Sequence, residues 1–141
     1  MKKRGFGEGR WNGFGGKIEA GETIEMAAKR ELLEEVSLIA HEVAEIGRLT
    51  FSFADRDDEL LVHVYHVLQY EGEPVETEEM KPQWFHINEI PYEDMWADDE
   101  VWLPYALLGH KFAGTFHFDT PATAAYPGQI LEQEIKVVAG W

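Results

Sequence analysis

The pattern of apolar and polar positions first predicts a helix. Residues 23–35 contain neither Gly nor Pro and consist mostly of strong helix formers. Thr23 is suited to the N-cap, where its hydroxyl can accept a hydrogen bond from a free backbone N–H. Apolar residues recur at helical spacing and form one buried stripe: Ile24, Ala27, Ala28 and Leu32.

Beyond residue 35 the pattern changes to the β-branched and aromatic residues typical of strands. Residues 46–53 and 60–70 predict two paired strands, joined by a polar loop at 54–59. Further strands are predicted at residues 83–87, 112–118 and 130–138. Trp84, in the first of these, is expected in the core.

Residues 101–111 predict a second helix, with Pro104 in its first turn, where a missing backbone N–H is tolerated. A helix, several strands and another helix together predict an α+β or a mixed α/β sandwich. The length of 141 residues fits a single domain, 1–141.

The chain is strongly acidic, with a formal net charge of −15. Such a charge opposes binding of nucleic-acid polymers, which depends on Lys and Arg neutralising phosphates. It permits small phosphate esters if a divalent cation bridges carboxylate and phosphate. Most of the acidic residues are expected simply to form a solvated surface. The chain has no apolar run long enough for a membrane span and no signal-like start, so we expect a cytoplasmic protein without membrane partners. It has no cysteine, which excludes disulfides and thiolate metal sites but leaves the compartment open.

One acidic cluster stands out because of its spacing. Glu31, Glu34 and Glu35 share one face of the predicted helix, and Arg30 lies one turn before Glu34. Mg²⁺ would relieve the repulsion between these carboxylates. For the glutamate cluster taken alone, an ordinary acidic helix face is the favoured explanation. The segment in front favours the metal, because Gly13-Phe14-Gly15-Gly16-Lys17 offers free amides and a cation beside the helix.

The combination resembles the Nudix box, G-x5-E-x7-R-E-U-x-E-E-x-G-U, in which U is aliphatic. The match runs from Gly16 through Glu22 to Leu38, with the spacing intact. The last glycine of the box is Ser37 here, which affects how the chain leaves the helix but removes no ligand.

The resemblance extends from Lys2 to about Phe118. The segments KKRGFGEGRWNGFGGK, AGETIE, VHVYHV, PQWF, IPYEDMWADDEVW and KFAGTFHF are similar to the MutT-homologue oxidised-purine triphosphatases of the Nudix superfamily. That resemblance implies an α+β fold of the Nudix type, an α/β/α sandwich with a mixed sheet. It also implies an Mg²⁺-dependent enzyme, with Mn²⁺ as a substitute. It would convert 8-oxo-dGTP or 2-hydroxy-dATP to nucleoside monophosphate and pyrophosphate. Hydrolysis of a dinucleoside polyphosphate or ADP-ribose is an alternative, and a silent nucleotide-binding module is another.

The resemblance also implies roles for individual residues. Glu31, Glu34 and Glu35 would be catalytic metal ligands, one of them acting as the base. Glu79 and the carbonyl of Gly15 or Gly16 would complete the metal shell, and Lys2 and Lys17 would face the phosphates. The substrate pocket would be lined by Asn12, Phe14, Phe51, Phe53, Met80, Trp96, Asp98, Asp99 and Trp102.

Several of these pocket residues also have a purely structural interpretation. Phe51 and Phe53 are expected in the core whatever else they do, and Asp98-Asp99-Glu100 also suits a helix N-terminus. As recognition groups, adjacent Asp98 and Asp99 favour keeping one carboxyl protonated, which would give one donor and one acceptor. His63 and His66 receive no role.

Relatives carry an additional N-terminal strand before the segment that begins at Lys2. Without it, we expect an unpaired sheet edge. A longer parent protein would explain this difference, as would coverage of the edge by residues 126–141. The third explanation, which we favour, is a homodimer in which each chain covers the other's edge.

Overall fold

The computed structural model describes all residues, 1–141. In chain order the elements are α1 (Ile24–Val36), β1 (Ile39–Phe53), β2 (Glu59–Glu71), a short 3-10 turn (Tyr92–Asp94), α2 (Asp99–Leu107), β3 (Phe112–Phe118) and β4 (Ile130–Val137). The strands form one mixed sheet in the order β2-β1-β3-β4. β1 pairs antiparallel with β2 and parallel with β3, and β4 pairs antiparallel with β3. The predicted α+β class is confirmed.

Two apolar clusters hold the helices on this sheet. The larger one joins Phe112, Phe116 and Phe118 of β3 to Leu49 of β1 and Ala106 of α2. The smaller one lies under α1 and contains Leu32, Val36, Leu38, Ala40 and Met80. The aromatic residues of β3 reach the first cluster because alternate side chains of a strand share one face. No helix combines the length and apolar character required to cross a membrane.

The predicted N-cap is confirmed, since the Thr23 hydroxyl accepts a hydrogen bond from the Met26 N–H at 3.1 Å. β1 begins at Ile39, earlier than the predicted start at residue 46. Residues 39–45 include Ala and Glu, which have low strand propensity, but pairing with the far end of β2 at Glu71 overrides that local preference.

The strand predicted at residues 83–87 is wrong, because this segment pairs with no other strand. Trp84 is 72% exposed, so its assignment to the core is also wrong. α2 begins at Asp99, which moves Pro104 from the first turn into the helix interior. The carbonyl of the exposed Glu100, which would accept an N–H from position 104, therefore lacks that partner.

The free edges of the sheet are β2 and β4. β4 lies within the segment that we expected to cover an edge, and it covers one side of β3. A homodimer remains a prediction.

Candidate functional site

Arg30 is the centre of an ion-pair network at the front of α1. Its Nε and Nη2 donate to the Glu22 carboxylate at 2.7 and 3.0 Å, and its Nη1 donates to Glu31 at 2.8 Å and Glu34 at 3.1 Å. A further bond at 3.0 Å reaches the carbonyl of Lys17 in the glycine loop. The hydrogen bonds to Glu22 and Glu31 raise the pKa of the guanidinium further above its usual value. Arg30 therefore holds Glu34 across one helical turn, and the same arginine fixes the carboxylates of Glu22 and Glu31.

Glu35 is the buried acid of the cluster, with 1% of its surface exposed. Its Oε1 accepts a hydrogen bond from the Gly15 N–H at 3.3 Å, while its Oε2 is buried without any partner. Burial raises the pKa of Glu35 to about 7 against the opposing effects of Lys2 and Gly15, and the charges of Glu31 and Glu79 raise it further. The charged groups of Glu31, Glu79 and Lys2 therefore lie near the carboxyl group of Glu35, at the end of the glycine loop.

These residues fit a divalent cation, although no three acids already form a ready ligand set. Glu31 and Glu34 point towards Arg30 instead. The Oε2 of Glu35 is buried without a protein partner, and a carboxylate oxygen is the kind of ligand that Mg²⁺ prefers. Gly16 lies so close to Glu31 that an added Cβ would be 2.4 Å from the carboxyl carbon. A side chain at position 16 would therefore displace the Glu31 carboxylate from its place beside Arg30.

A second segment completes this half of the site. The Thr77 hydroxyl donates to the carbonyl of Glu35 at 2.7 Å, which ties the loop carrying Glu79 to the end of α1. The Glu79 carboxylate accepts a hydrogen bond from Arg4 at 3.1 Å. Lys2 is held beside this segment by an isolated β-bridge to Met80. The structure therefore brings Lys2 and Glu79, as predicted, towards Glu35.

The aromatic part of the site is centred on Trp96, which is 8% exposed. Its ring lies 5.2 Å from that of Phe6 at an interplanar angle of 31°, and edge contacts with Phe53 and Phe118 fix it from other sides. Gly7 has a φ of +83°, and an added Cβ there would meet the Trp96 Nε1 at 3.2 Å. The N-terminal loop therefore lies directly against the indole.

Asp98 and Asp99 are both buried, with 2% and 8% of their surfaces exposed. The Trp102 Nε1 donates to Oδ2 of Asp98 at 2.7 Å, while the other oxygen, Oδ1, is buried without a partner. Burial raises the pKa of Asp98 to about 6 and that of Asp99 to about 8, the latter also because of the Asp98 charge. Asp98 precedes α2, but its side chain makes no capping bond. The pair is thus at a helix N-terminus without serving as a side-chain cap.

Asn12 lies between these two halves of the site. Its Nδ2 donates to the carbonyls of Gly7 at 3.2 Å and Arg10 at 3.0 Å. An added Cβ on Gly7 would lie 3.1 Å from this nitrogen, on the same glycine that borders Trp96. The loop from Asn12 to Gly15 therefore runs from the indole to Glu35.

The side chains of four predicted site residues lie in the core or at the surface, away from the groups described so far. Met80 is buried in the cluster beneath α1, apart from the aromatic cluster of Trp96. Phe51 stacks on Phe116 at 5.9 Å, in agreement with its expected core role. Phe14 and the side chain of Lys17 are exposed in the glycine loop.

Sequence reasoning gave no structural role to Glu22, Thr77, Arg4 and Phe6. Glu22 precedes the helix and is eight positions from Arg30, so helical spacing does not predict their bond. Thr77 and Phe6 act across the fold. The only local signal for Thr77 is a polar residue two positions before Glu79, and the only one for Phe6 is an aromatic residue between two glycines.

Comparison with known families decides the assignment of this site. The family model of the NUDIX domain matches residues 1–106, about three quarters of the chain. The chain belongs to the Nudix family. The glycine loop, Arg30 and three of the glutamates of α1 (Glu31, Glu34 and Glu35) are accordingly its Nudix box, and the prediction of a Nudix hydrolase is confirmed.

Individual relatives agree with the family assignment. This Nudix chain is 52% identical to the oxidized purine nucleoside triphosphate hydrolase of Danio rerio, over 84% of the chain and 76% of that protein. It is 49% identical to the protein of the same name from Mus musculus, over 87% and 79%. Among solved structures, a mutator MutT protein from Bacillus halodurans superposes with a TM-score of 0.73 at 26% identity, over 90% of this chain and 82% of that one.

Proposed function

We propose that this Nudix protein hydrolyses oxidised purine nucleoside triphosphates to nucleoside monophosphate and pyrophosphate, with Mg²⁺ as its metal and Mn²⁺ as a substitute. The relatives from Danio rerio and Mus musculus, which carry that activity in their names, support the substrate class. The extent of the match also supports the substrate class, since the aligned region covers most of this chain and of each relative rather than the Nudix box alone.

The observation that carries the proposal is the buried pair Asp98 and Asp99 beside Trp96. Their raised pKa values leave a proton on the pair at neutral pH, so it offers both a hydrogen-bond donor and an acceptor. Oxidation of a purine adds or shifts a hydrogen-bonding group at its edge, and the Asp98–Asp99 pair would meet such a group with its donor or its acceptor. Trp96 supplies an aromatic surface for the base.

The phosphate end of the nucleotide would lie at the Nudix box. Glu31, Glu34, Glu35 and Glu79 would hold the metal, with the carbonyl of Gly15 or Gly16. A bound divalent cation lowers the pKa of water and neutralises charge on the leaving pyrophosphate. Arg30 keeps Glu31 and Glu34 in place, and Lys2 and Lys17 bring positive charge to the phosphates.

The test is pyrophosphate release from 8-oxo-dGTP, 2-hydroxy-dATP and dGTP, each with Mg²⁺ and with EDTA. ADP-ribose is assayed in parallel by release of nucleoside monophosphate. We expect metal-dependent turnover that favours an oxidised purine. Preference for dGTP or ADP-ribose would overturn the substrate assignment and retain the Nudix chemistry. Absence of turnover by folded, Mg²⁺-loaded protein on all four substrates would overturn both and favour a nucleotide-binding module.

A further inference from the structure

Arg10 is a buried cation that belongs neither to the Nudix box nor to the aromatic cluster of Trp96. Only 6% of its surface is exposed. Its Nε donates to the carbonyl oxygen of Thr123 at 2.7 Å, and its Nη1 donates to that of Met95 at 3.2 Å. Both partners are neutral main-chain groups, and Arg10 makes no salt bridge. Burial of a guanidinium costs free energy unless its donors are hydrogen-bonded, and its directional bonds in turn fix the carbonyl groups that accept them.

The first group it holds is the segment that carries the indole. Met95 immediately precedes Trp96, and the Trp11 N–H donates to the carbonyl of Asp94 at 2.9 Å. Two consecutive residues of the N-terminal loop, Arg10 and Trp11, therefore fix the two residues before Trp96. The position of the indole depends on these bonds because residues 95–98 belong to no strand and precede α2.

The second group is a loop that packs on the same indole. Thr123 follows Ala122, which is 4% exposed and belongs to the apolar cluster of Trp96. The loop begins after Phe118, whose ring meets the Trp96 ring edge-on at 5.7 Å. Through one planar side chain, Arg10 thus connects the N-terminal loop to two segments that border Trp96.

The main chain of Arg10 is engaged as well. Its carbonyl accepts the Asn12 Nδ2 at 3.0 Å and the Lys2 N–H at 3.0 Å. Displacement of Arg10 would therefore move Asn12 together with Trp96.

We propose that Arg10 is a positioning residue for purine recognition, which fixes Trp96 through its guanidinium and Asn12 through its carbonyl without itself contacting the nucleotide. This inference rests on the proposed function, because it takes Trp96 and Asn12 as base-contacting residues. It assigns the guanidinium no part in the phosphate chemistry, since neither of its two bonds reaches the Nudix box, and a substitution of the side chain leaves the Arg10 carbonyl that accepts from Lys2 in the chain.

The experiment compares Arg10→Met, which keeps the aliphatic length and removes the donors, with Arg10→Lys, whose single ammonium group cannot replace the two-armed fork. We expect KM for 8-oxo-dGTP to rise about tenfold in Arg10→Met, the change that corresponds to one lost charge-assisted hydrogen bond. Arg10→Lys should fall between it and the wild type, and kcat should stay close to the wild-type value in both. The NMR signal of the Trp96 indole N–H, assigned with Trp96→Phe, should shift or broaden in Arg10→Met.

The matched control is Arg48→Met. Arg48 bonds to Glu45 on the face of β1 opposite to that of Leu49, so its loss should change neither KM nor the indole signal. Thermal unfolding shows whether each variant is folded. If Arg10→Met does not fold, KM and the indole signal of Arg10→Lys provide the test. An unchanged KM and indole signal, or a parallel loss of kcat, would overturn the inference. A wild-type enzyme without preference for oxidised purines would overturn the proposed function instead, and the indole signal would still test Arg10.

Discussion

The main-chain nitrogen of Gly15 donates to Oε1 of Glu35 at 3.3 Å and leaves Oε2 of the same carboxylate buried without a partner. One oxygen thus fixes the glycine loop, and the other is available to a cation. Glu35→Gln should keep the bond to Gly15 while replacing an oxygen ligand by an amide. We expect turnover to fall by about 100-fold or more, the range typical of removing an acid–base or ligand group.

Pyrophosphate release and circular dichroism measure the effect of Glu35→Gln on activity and folding. Glu25→Gln is the control, because Glu25 lies on the same helix but is exposed and belongs to its first turn. Undiminished turnover in Glu35→Gln would remove this residue from the mechanism.

Arg30 orients two of the proposed ligands, and its replacement should weaken metal binding more than folding. Lysine cannot reproduce the paired bonds to Glu22 together with those to Glu31 and Glu34. In Arg30→Lys the Mg²⁺ concentration for half-maximal activity should rise about tenfold, as is usual when a residue behind the ligands is lost. A magnesium titration measures this rise, with Lys29→Arg as the neighbouring control. An unchanged requirement for magnesium would contradict the orienting role.

Asp98 should control base preference rather than phosphate chemistry. Asp98→Asn replaces the unpaired Oδ1 or the partner of the Trp102 indole by an amide nitrogen. We expect the ratio of kcat/KM for 8-oxo-dGTP to that for dGTP to change by about tenfold, the effect of one mismatched buried hydrogen bond. Glu100→Gln, an exposed neighbour, should leave the ratio unchanged. The same ratio in both variants and the wild type would refute the pocket assignment.

The pair also predicts how stability depends on pH. The pKa of Asp98 is raised to about 6 and that of Asp99 to about 8, both above the ordinary value of 3.8. Between pH 3.8 and about 8 the folded chain therefore binds more protons than the unfolded chain, so this contribution to stability is lost as the pH rises. Asp99→Asn cannot ionise, and its melting temperature relative to wild type should be higher at pH 8.5 than at pH 5. Thermal unfolding at both pH values tests this sign, and a difference that falls with pH would contradict it.

Ser37, which stands at the position of the last glycine of the Nudix box motif, ends α1 in the left-handed region, at φ 62° and ψ 26°. A side chain there costs about 1–2 kcal/mol, while glycine loses about 0.4–1 kcal/mol through the entropy of the unfolded chain. Ser37→Gly should therefore raise the free energy of unfolding by roughly 0.5–1 kcal/mol. Urea denaturation measures the change. Ser37→Val should act in the opposite direction, and equal stability of the two variants would contradict the argument.

The sequence by itself determined the phosphate half of this site. Glu31, Glu34 and Glu35 share a face because of helical spacing, and Arg30 reaches Glu34 within one turn. The glycine loop lies next to them in the chain. Each of these relationships is local, so residue spacing is sufficient to predict it.

Tertiary structure decided the base half and the exceptions to the predicted pattern. Trp84 and Trp96 are both in aromatic, turn-rich segments, yet only Trp96 meets Phe53 and Phe118 and becomes buried. β1 extends back to Ile39 because β2 is long enough to pair with it there. Residues 83–87 form no strand because no partner strand lies beside them. The unpaired oxygen of Asp98 and the two carbonyls held by Arg10 depend on contacts between distant parts of the chain. Such contacts are set by packing and burial, which residue spacing does not encode.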